Sequence, residues 1–595
     1  MLLEFSMMLK TKPFKIFGQA YYTKIYKESE DDTSCTVLDE AFLPHYKFLN
    51  RNTSTPVKID IESAVRLPES AGDDLTFPAK IIEIYATTKQ ILETNIRSKC
   101  EVLVADKDVP LSNRRGKALL EEEEEEEEMG MDIRKQPEIR KLVDSGDPKN
   151  RIDVVFMGDG YTAGERQKFF DDISHFVKEM FEGVTFQSYL PLFNIWAIYV
   201  ESPESGIGYD GPKNTPFKLY REKGQLRGVF TKNAPYARQI CKLTGPQACD
   251  FPSLVGNDDY YGGLGGEFVI VTSSNQTGKI VLRHEMGHNF IDAGEEYDNG
   301  YAYFGANAAN SLTNLKWSHW LTGEKREERA MYRILSYPWS NLEDGPYNKT
   351  FISDGRYSRW TITVSVTASQ EDDDLEFLLD GKPLPWKSTG VEDREFYNWE
   401  GKEGFSLGFH HFAIRSRTPV KNAKVPRMIC SIALHEFGSE EEFHMGNDHI
   451  SAYPTWNFVR KKSYRPSNAG CIMRNMTQER FCPVCQEGMW IQFLSTVSLI
   501  DDLQISNESR ADGTRGVSLK TLQFGQFRPE YQRMAGGESL QIRWIQNNRE
   551  VEELKDQTEV FLTPGKWTAT VKFINPEVRY DPYGVLHASR KFEIA

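Results

Sequence analysis

Three residues in the run VLRHEMGHNFIDAGEEYD have the types and spacing for metal chemistry: His284, Glu285 and His288. On a helix, side chains four apart stand one above the other on the same face. His284 and His288 can therefore present two imidazole nitrogens to one metal ion. Glu285 sits beside the first of them, where its carboxylate can take a proton from a water on the metal. This is the His-Glu-x-x-His arrangement of zinc peptidases, which names a reaction class, a cofactor and three residues together.

The flanking chain has the elements needed to position such a motif. Residues 267–273 (EFVIVTS) are rich in β-branched and aromatic side chains and predict a buried strand. A helix is predicted from Thr277 to Asp292, with Ile280, Val281, His284, His288 and Ile291 near one stripe. Gly294 is a plausible stop, since glycine enters the left-handed conformation at little cost. Glu295, Glu296 and Tyr297 follow, and a carboxylate there can turn back to the metal. Glu296 is favoured as third ligand, with Glu295 and Asp292 as alternatives. A look-alike, His435-Glu436-Phe437-Gly438, has Ser439 where the second histidine should stand; His444 and His449 are off that spacing too. These are read as ordinary loop or surface histidines.

The chain has 595 residues, too many for one core, so three or four domains are expected. The net charge of −15 includes the unbroken acidic run Glu121–Glu128 and excludes the basic face of a nucleic-acid binder. No apolar run reaches the roughly 18 residues of a membrane span. The opening MLLEFSMMLK lacks the basic–apolar–small order of a secretory signal. Cys35, Cys100, Cys241, Cys249, Cys430, Cys471, Cys482 and Cys485, together with sequons at Asn52, Asn275, Asn348, Asn475 and Asn507, suit an oxidising, extracellular history.

The pattern along the chain divides it into six stretches. Residues 14–105 predict a β-rich N-terminal domain, and 106–148 a charged, solvated linker. From 149 to 335, strand (152–157), helix (Phe169, Phe170, Ile173, Phe176, Val177, Met180 and Phe181 at helical spacing), strand (194–200), Gly-rich loop (262–266), strand and motif helix follow in order. Gly158-Asp159-Gly160-Tyr161 predicts a turn and Thr162 a helix N-cap. Residues 336–425 alternate and predict an inserted β-domain with a hairpin at Asp380-Gly381. Residues 426–502 return to mixed structure, and 503–595 predict a C-terminal β-sandwich. The fold class expected is α+β.

Four passages resemble the IgA peptidase family of zinc metallopeptidases, a metzincin-like group: VVFMGDGYTAGE…F (154–169), FNIWAIYVESPESGIG (193–208), the run 284–297, and CIMRNM…FCPVC (471–485). The resemblance covers most of residues 14–500 and implies a metzincin-like peptidase domain. It implies that Met473 lies in a turn beneath the metal as an apolar floor. It makes Cys471, Cys482 and Cys485 structural, through disulfides; Cys482-Pro483-Val484-Cys485 could alternatively be a redox pair or half a zinc knuckle. The chain departs from the metzincin pattern, having Ile291 and Gly294 where that pattern has glycine and the third ligand. The resemblance to an acidic-Glu-Tyr motif supports Glu296 instead.

The function expected is a zinc-dependent endopeptidase holding one catalytic Zn2+ through His284, His288 and Glu296, with Glu285 as general base. Its partner is a protein or peptide substrate, with no nucleic acid and no membrane span. The rival reading is a secreted binding protein with an inactive or structural zinc site. An exopeptidase would further need a charged group to hold a substrate terminus.

Overall fold

The computed structural model describes the strands between residues 17 and 105 as backbone, and residues 136–595 except 223–225, 227, 266, 292, 299–304, 422–424, 458–460 and 534–536. The chain forms two compact units, residues 1–134 and 135–595. In the first, five strands make one sheet in the order Val57–Glu62, Lys80–Ala86, Phe17–Lys27, Ser34–Lys47, Val102–Ala105. The glutamate run lies outside the described residues, as do Asn52, Cys100 and the side chain of Cys35.

The second unit is built on a six-stranded sheet. Its strands are β1 (Glu138–Val143), β2 (Ile152–Asp159), β3 (Phe193–Tyr199), β4 (Phe251–Gly256), β5 (Gly263–Leu264) and β6 (Val269–Thr272), in the order β5-β6-β4-β2-β3-β1. The four central strands run parallel, and β1 and β5 are antiparallel edges. Every residue of β2 is buried, which is why its centre, Val154–Met157, is a continuous apolar run rather than an alternation. β1 falls in the stretch expected to be linker. Its charged residues conceal it: Arg140 bonds Glu138, and Arg166 reaches the same carboxylate from the next helix.

Helix α1 (Arg166–Phe181) buries Phe169, Phe170, Ile173, Phe176, Met180 and Phe181 on one stripe against this sheet, and Val177 is partly buried, as expected. Thr162 caps a 3-10 turn (Ala163–Glu165) that leads into the helix. Its N–H and hydroxyl both donate to Glu165 Oε2, at 3.0 and 2.8 Å. Gly160 turns the chain at φ 77°, and a Cβ there would meet the Gly206 carbonyl at 2.6 Å, so only glycine fits. A short helix, α2 (Ala234–Cys241), ends at the Cys241–Cys249 disulfide. Helix α3 (Gly278–Phe290) follows β6 and packs Val281, Leu282, Met286 and Phe290 into the same core as α1.

Strands between residues 330 and 437 form two facing sheets, a β-sandwich inserted between α3 and the cysteine-rich segment 471–485. One sheet pairs Ala330–Ser336, Met428–Phe437, Arg359–Val366 and Glu395–Gly401; the other pairs Tyr347–Ser353, Gly408–Ser416 and Leu375–Leu379. Ile362, Val364, Phe377, Phe412, Ile414 and Leu434 fill the space between them. Asp380 and Gly381 turn the predicted hairpin with φ of 51° and 73°, the positive pair of a type I′ turn. Helix α4 (Pro483–Phe493) returns to the sheet core, and its Trp490 meets the rings of Phe524 and Phe573, in the stretch 503–595, edge to face. The architecture is α+β. Among the described residues no helix is long and apolar enough to cross a membrane.

Candidate metal centre

The start of α3 is clasped by the inserted sandwich. Asp393 accepts hydrogen bonds from the hydroxyls of Ser274 (2.9 Å) and Thr277 (2.6 Å) ahead of the helix, and from the Tyr261 N–H (2.6 Å) ahead of β5. The insertion thus ties together both elements that border the motif. Helix α3 then ends because Ile291 turns extended (φ −137°), not because glycine enters the left-handed region. The Gly294 N–H and carbonyl are instead held by the Asn307 side chain, at 2.8 and 2.9 Å.

His284 and His288 lie as the helical spacing demands, with ring centroids 4.9 Å apart and planes nearly perpendicular. Each ring is anchored by its Nδ1 to a main-chain carbonyl: His284 to Ile472 at 3.2 Å, His288 to Ala293 at 2.8 Å. Both Nε2 atoms therefore face the same side, and Glu295 meets them there, 3.3 Å from His284 Nε2 and 3.2 Å from His288 Nε2. Two imidazole nitrogens and one carboxylate within bridging distance fit the three-ligand donor set of a catalytic zinc site. Carbonyl anchors on the far ring nitrogens are the outer contacts that orient such ligands.

Glu296 does not join this group. It is fully buried, and its carboxylate lies among cysteine sulfurs rather than at the imidazoles. Its Oε1 lies 3.7 Å from Cys485 Sγ and 3.9 Å from Cys482 Sγ, and accepts from Asn307 Nδ2 at 3.0 Å. Placing Glu296 on the histidines is corrected by this geometry in favour of Glu295, one of the alternatives; Asp292, the other, lies outside the described residues. Expecting disulfides from Cys471, Cys482 and Cys485 is corrected as well. All three are buried free thiols, and Cys471 and Cys485 stand 3.8 Å apart.

Met473 is fully buried beneath α3. A Cβ added to Gly287 would lie 2.9 Å from its sulfur. The Met473 carbonyl accepts from the Glu296 N–H at 3.0 Å, so this turn touches both acidic residues' loop and the helix. Glu285 is half-buried on the β5 side of α3, where Gly265 makes room for it: a Cβ at Gly265 would fall 2.3 Å from Glu285 Oε2. The close approach of the Gly-rich loop is thus to the motif's own carboxylate.

Charges in the site offset one another. Burial raises the Glu285 carboxyl above its ordinary value, against the pull of both histidines. Burial acts the same way on Glu295, but His288 and His284 outweigh it and hold that carboxyl well below the usual range. Asp298 was not singled out by its spacing, yet it fastens the turn. It accepts from His435 Nε2 at 2.9 Å and the Trp456 N–H at 2.8 Å, and it pairs with Arg474. His435 of the look-alike motif is thereby a buried structural residue. His444 and His449 stack at 3.9 Å near Glu328, whose carboxylate already accepts from Ser451 Oγ and the His444 N–H.

Residues 140–325 match the model of the family described as IgA Peptidase M64, which bears out the resemblance and takes in three of its four passages; the fourth, 471–485, lies beyond the matched residues. No curated protein matches the chain. Among solved structures, a GH2 β-galacturonidase from Eisenbergiella tayi bound to galacturonate is similar at 9% identity and TM-score 0.14, over 46% of this chain and 44% of that one. The glycerol-bound form gives 10%, with the same score and coverage. A cycloisomaltooligosaccharide glucanotransferase from Paenibacillus sp. gives 7% identity and TM-score 0.11, over 60% and 57% of the two chains. This chain thus spans less than half the length of the two galacturonidases, and likenesses of this size carry no argument about fold or function.

Proposed function

We propose that this chain, which carries an IgA Peptidase M64 domain over residues 140–325, is a zinc-dependent endopeptidase with a metzincin-like site. The observation that supports it most is the convergence of His284 Nε2, His288 Nε2 and Glu295, with both Nδ1 atoms pinned to carbonyls. His284, His288 and Glu295 would hold the ion, and Met473 would floor the site. Zinc in such a site polarises a peptide carbonyl and makes water acidic enough to lose a proton near neutral pH. Glu285 is the base that takes the proton as water attacks, and it then hands that proton to the leaving amine. Burial, which raises its carboxyl, suits a group that must both accept and return a proton.

Glu285 has no such work in a binding protein with a structural zinc, and the family match does not favour that reading. β5 is a sheet edge bordering Glu285, and an extended substrate segment could add to it as a further strand. We also propose secretion, supported by the Cys241–Cys249 disulfide and by exposed sequon residues Asn275, Asn348 and Asn507. The test is digestion of a diverse peptide mixture read by mass spectrometry, beside a chelated sample and Glu285→Gln. Internal cuts made only by the intact, metal-loaded protein are expected. Zinc-loaded, folded protein that cuts no peptide would overturn the proposal.

A further inference from the structure

We infer that the chain holds a second metal ion, in a buried site made by Cys471, Cys482, Cys485 and Glu296. The four residues come from three places in the sequence, and all are fully buried. Their ligand atoms lie within 4.8 Å of one another. Zinc binds thiolate sulfur at about 2.3 Å, and a tetrahedron of that size separates its sulfurs by about 3.8 Å. Cys471 and Cys485 Sγ stand at 3.8 Å. Carboxylate oxygen at about 2.1 Å from the same ion falls about 3.6 Å from each sulfur. Glu296 Oε1 is 3.7 and 3.9 Å from two of them.

Two further observations point to a cation rather than to a disulfide. Glu296 Oε2 is buried without a hydrogen-bond partner, a costly state for a carboxylate surrounded by sulfur unless a positive charge sits among them. Three cysteines cannot all pair, and a single disulfide would leave a thiol facing that carboxylate. The Cys-Pro-Val-Cys segment supplies half a zinc knuckle at the start of α4; the missing half is Cys471 and the acid next to Glu295, not a second Cys-x-x-Cys pair. Asn307 Nδ2, bonded to Glu296 Oε1, is the outer contact that orients the carboxylate. Thiol protons leave to solvent as the ion binds.

The site would brace the catalytic one. Cys471 immediately precedes Ile472, whose carbonyl anchors His284, and Met473, which lies under α3. Glu296 immediately follows Glu295. An ion joining Cys471 to Glu296 locks the two loops that supply the histidine's anchor and the third ligand. This inference stands apart from the peptidase proposal, because it uses none of His284, Glu285, His288 or Glu295.

The experiment is metal analysis of the full chain with His284→Ala and His288→Ala combined, which empties only the histidine centre. The folded variant is expected to retain one tightly bound zinc per chain. Its cobalt-substituted form is expected to show the intense near-ultraviolet absorption of sulfur bound to cobalt, which a His–His–Glu site lacks. A folded variant that keeps no metal, or a peptide map showing a disulfide among Cys471, Cys482 and Cys485, would overturn the inference. Cys482→Ser added to that variant is expected to abolish the residual zinc; should this protein fail to fold, the cobalt spectrum of the two-histidine variant still decides.

Discussion

His284 Nδ1 lies 3.2 Å from the main-chain carbonyl of Ile472, 188 residues downstream, so the first histidine is aimed by the turn that carries Met473. Ring orientation at the centre is a tertiary property, and the inserted sandwich sits between its two halves. Substitutions should therefore separate ligands, base and supports by what each one changes.

Glu295→Ala should release the ion from the histidine centre. Removing an outer contact typically weakens metal binding about 10–100-fold, and losing a ligand should exceed that. Competition against a chelator of known affinity measures it, with zinc counted separately at the cysteine cluster. Glu296→Ala should leave this affinity within the range of an outer-contact change. The reverse ranking would return the third-ligand role to Glu296.

Glu285→Gln should keep the fold and the zinc of the histidine centre while turnover falls about 10²–10⁴-fold, the usual worth of a positioned general base. Metal content and peptide turnover on the same preparation check this. Near-normal turnover in a fully loaded variant would assign proton transfer to another group.

His284, Glu285 and His288 were legible because helical spacing alone puts them on one face. The choice between Glu295 and Glu296 was not. Beyond Ile291 the chain has no periodicity, and which acid faces the histidines is set by the bridge of Ala293 to Gly305 and by the grip of Asn307 on Gly294. The cysteine cluster was legible only in part for the same reason, since its fourth member arrives from that irregular turn. β1 was hidden by charges that pair with each other and with α1, and the buried strands and the α1 stripe were plain because burial writes itself in apolar residues.

Gly287→Ala sets two effects against each other. Alanine gains about 1 kcal/mol of helix propensity over glycine. The new Cβ, however, would lie 2.8 Å from the Phe481 ring and 2.9 Å from Met473 Sδ, both fully buried, so it cannot fit without movement. Overpacking of this kind costs about 1–3 kcal/mol. The variant should be less stable than the parent by thermal or denaturant unfolding, and pairing it with Met473→Ala should recover part of the loss. A more stable single variant would show that the Met473 turn is loosely packed.

Asp298→Ala should be among the most destabilising single changes in the domain. It strips a buried carboxylate from Arg474, His435 and the Trp456 N–H together, and removing one partner of a buried ion pair costs about 3–5 kcal/mol. Arg474→Ala should cost a similar amount, and the double variant much less than the sum. Additive losses in a double-mutant cycle would mean the pair does not act as a unit.

The acid limb of stability should carry a contribution from Glu165. Burial would raise this carboxyl, but hydrogen bonds from the Thr162 N–H and hydroxyl, Ser205 Oγ and Asn257 Nδ2 lower it from 4.5 to about 2. A carboxyl depressed in the folded state stabilises it above the unfolded value, and that contribution is lost as pH falls through the folded value. The parent should therefore lose stability between pH 4.5 and about 2 that Glu165→Gln does not lose, and the gap between them should close toward the acid end. Denaturant midpoints of both proteins across that window measure the gap. A gap that stays constant with pH would mean that Glu165 acts through its shape and hydrogen bonds, with no part for its charge.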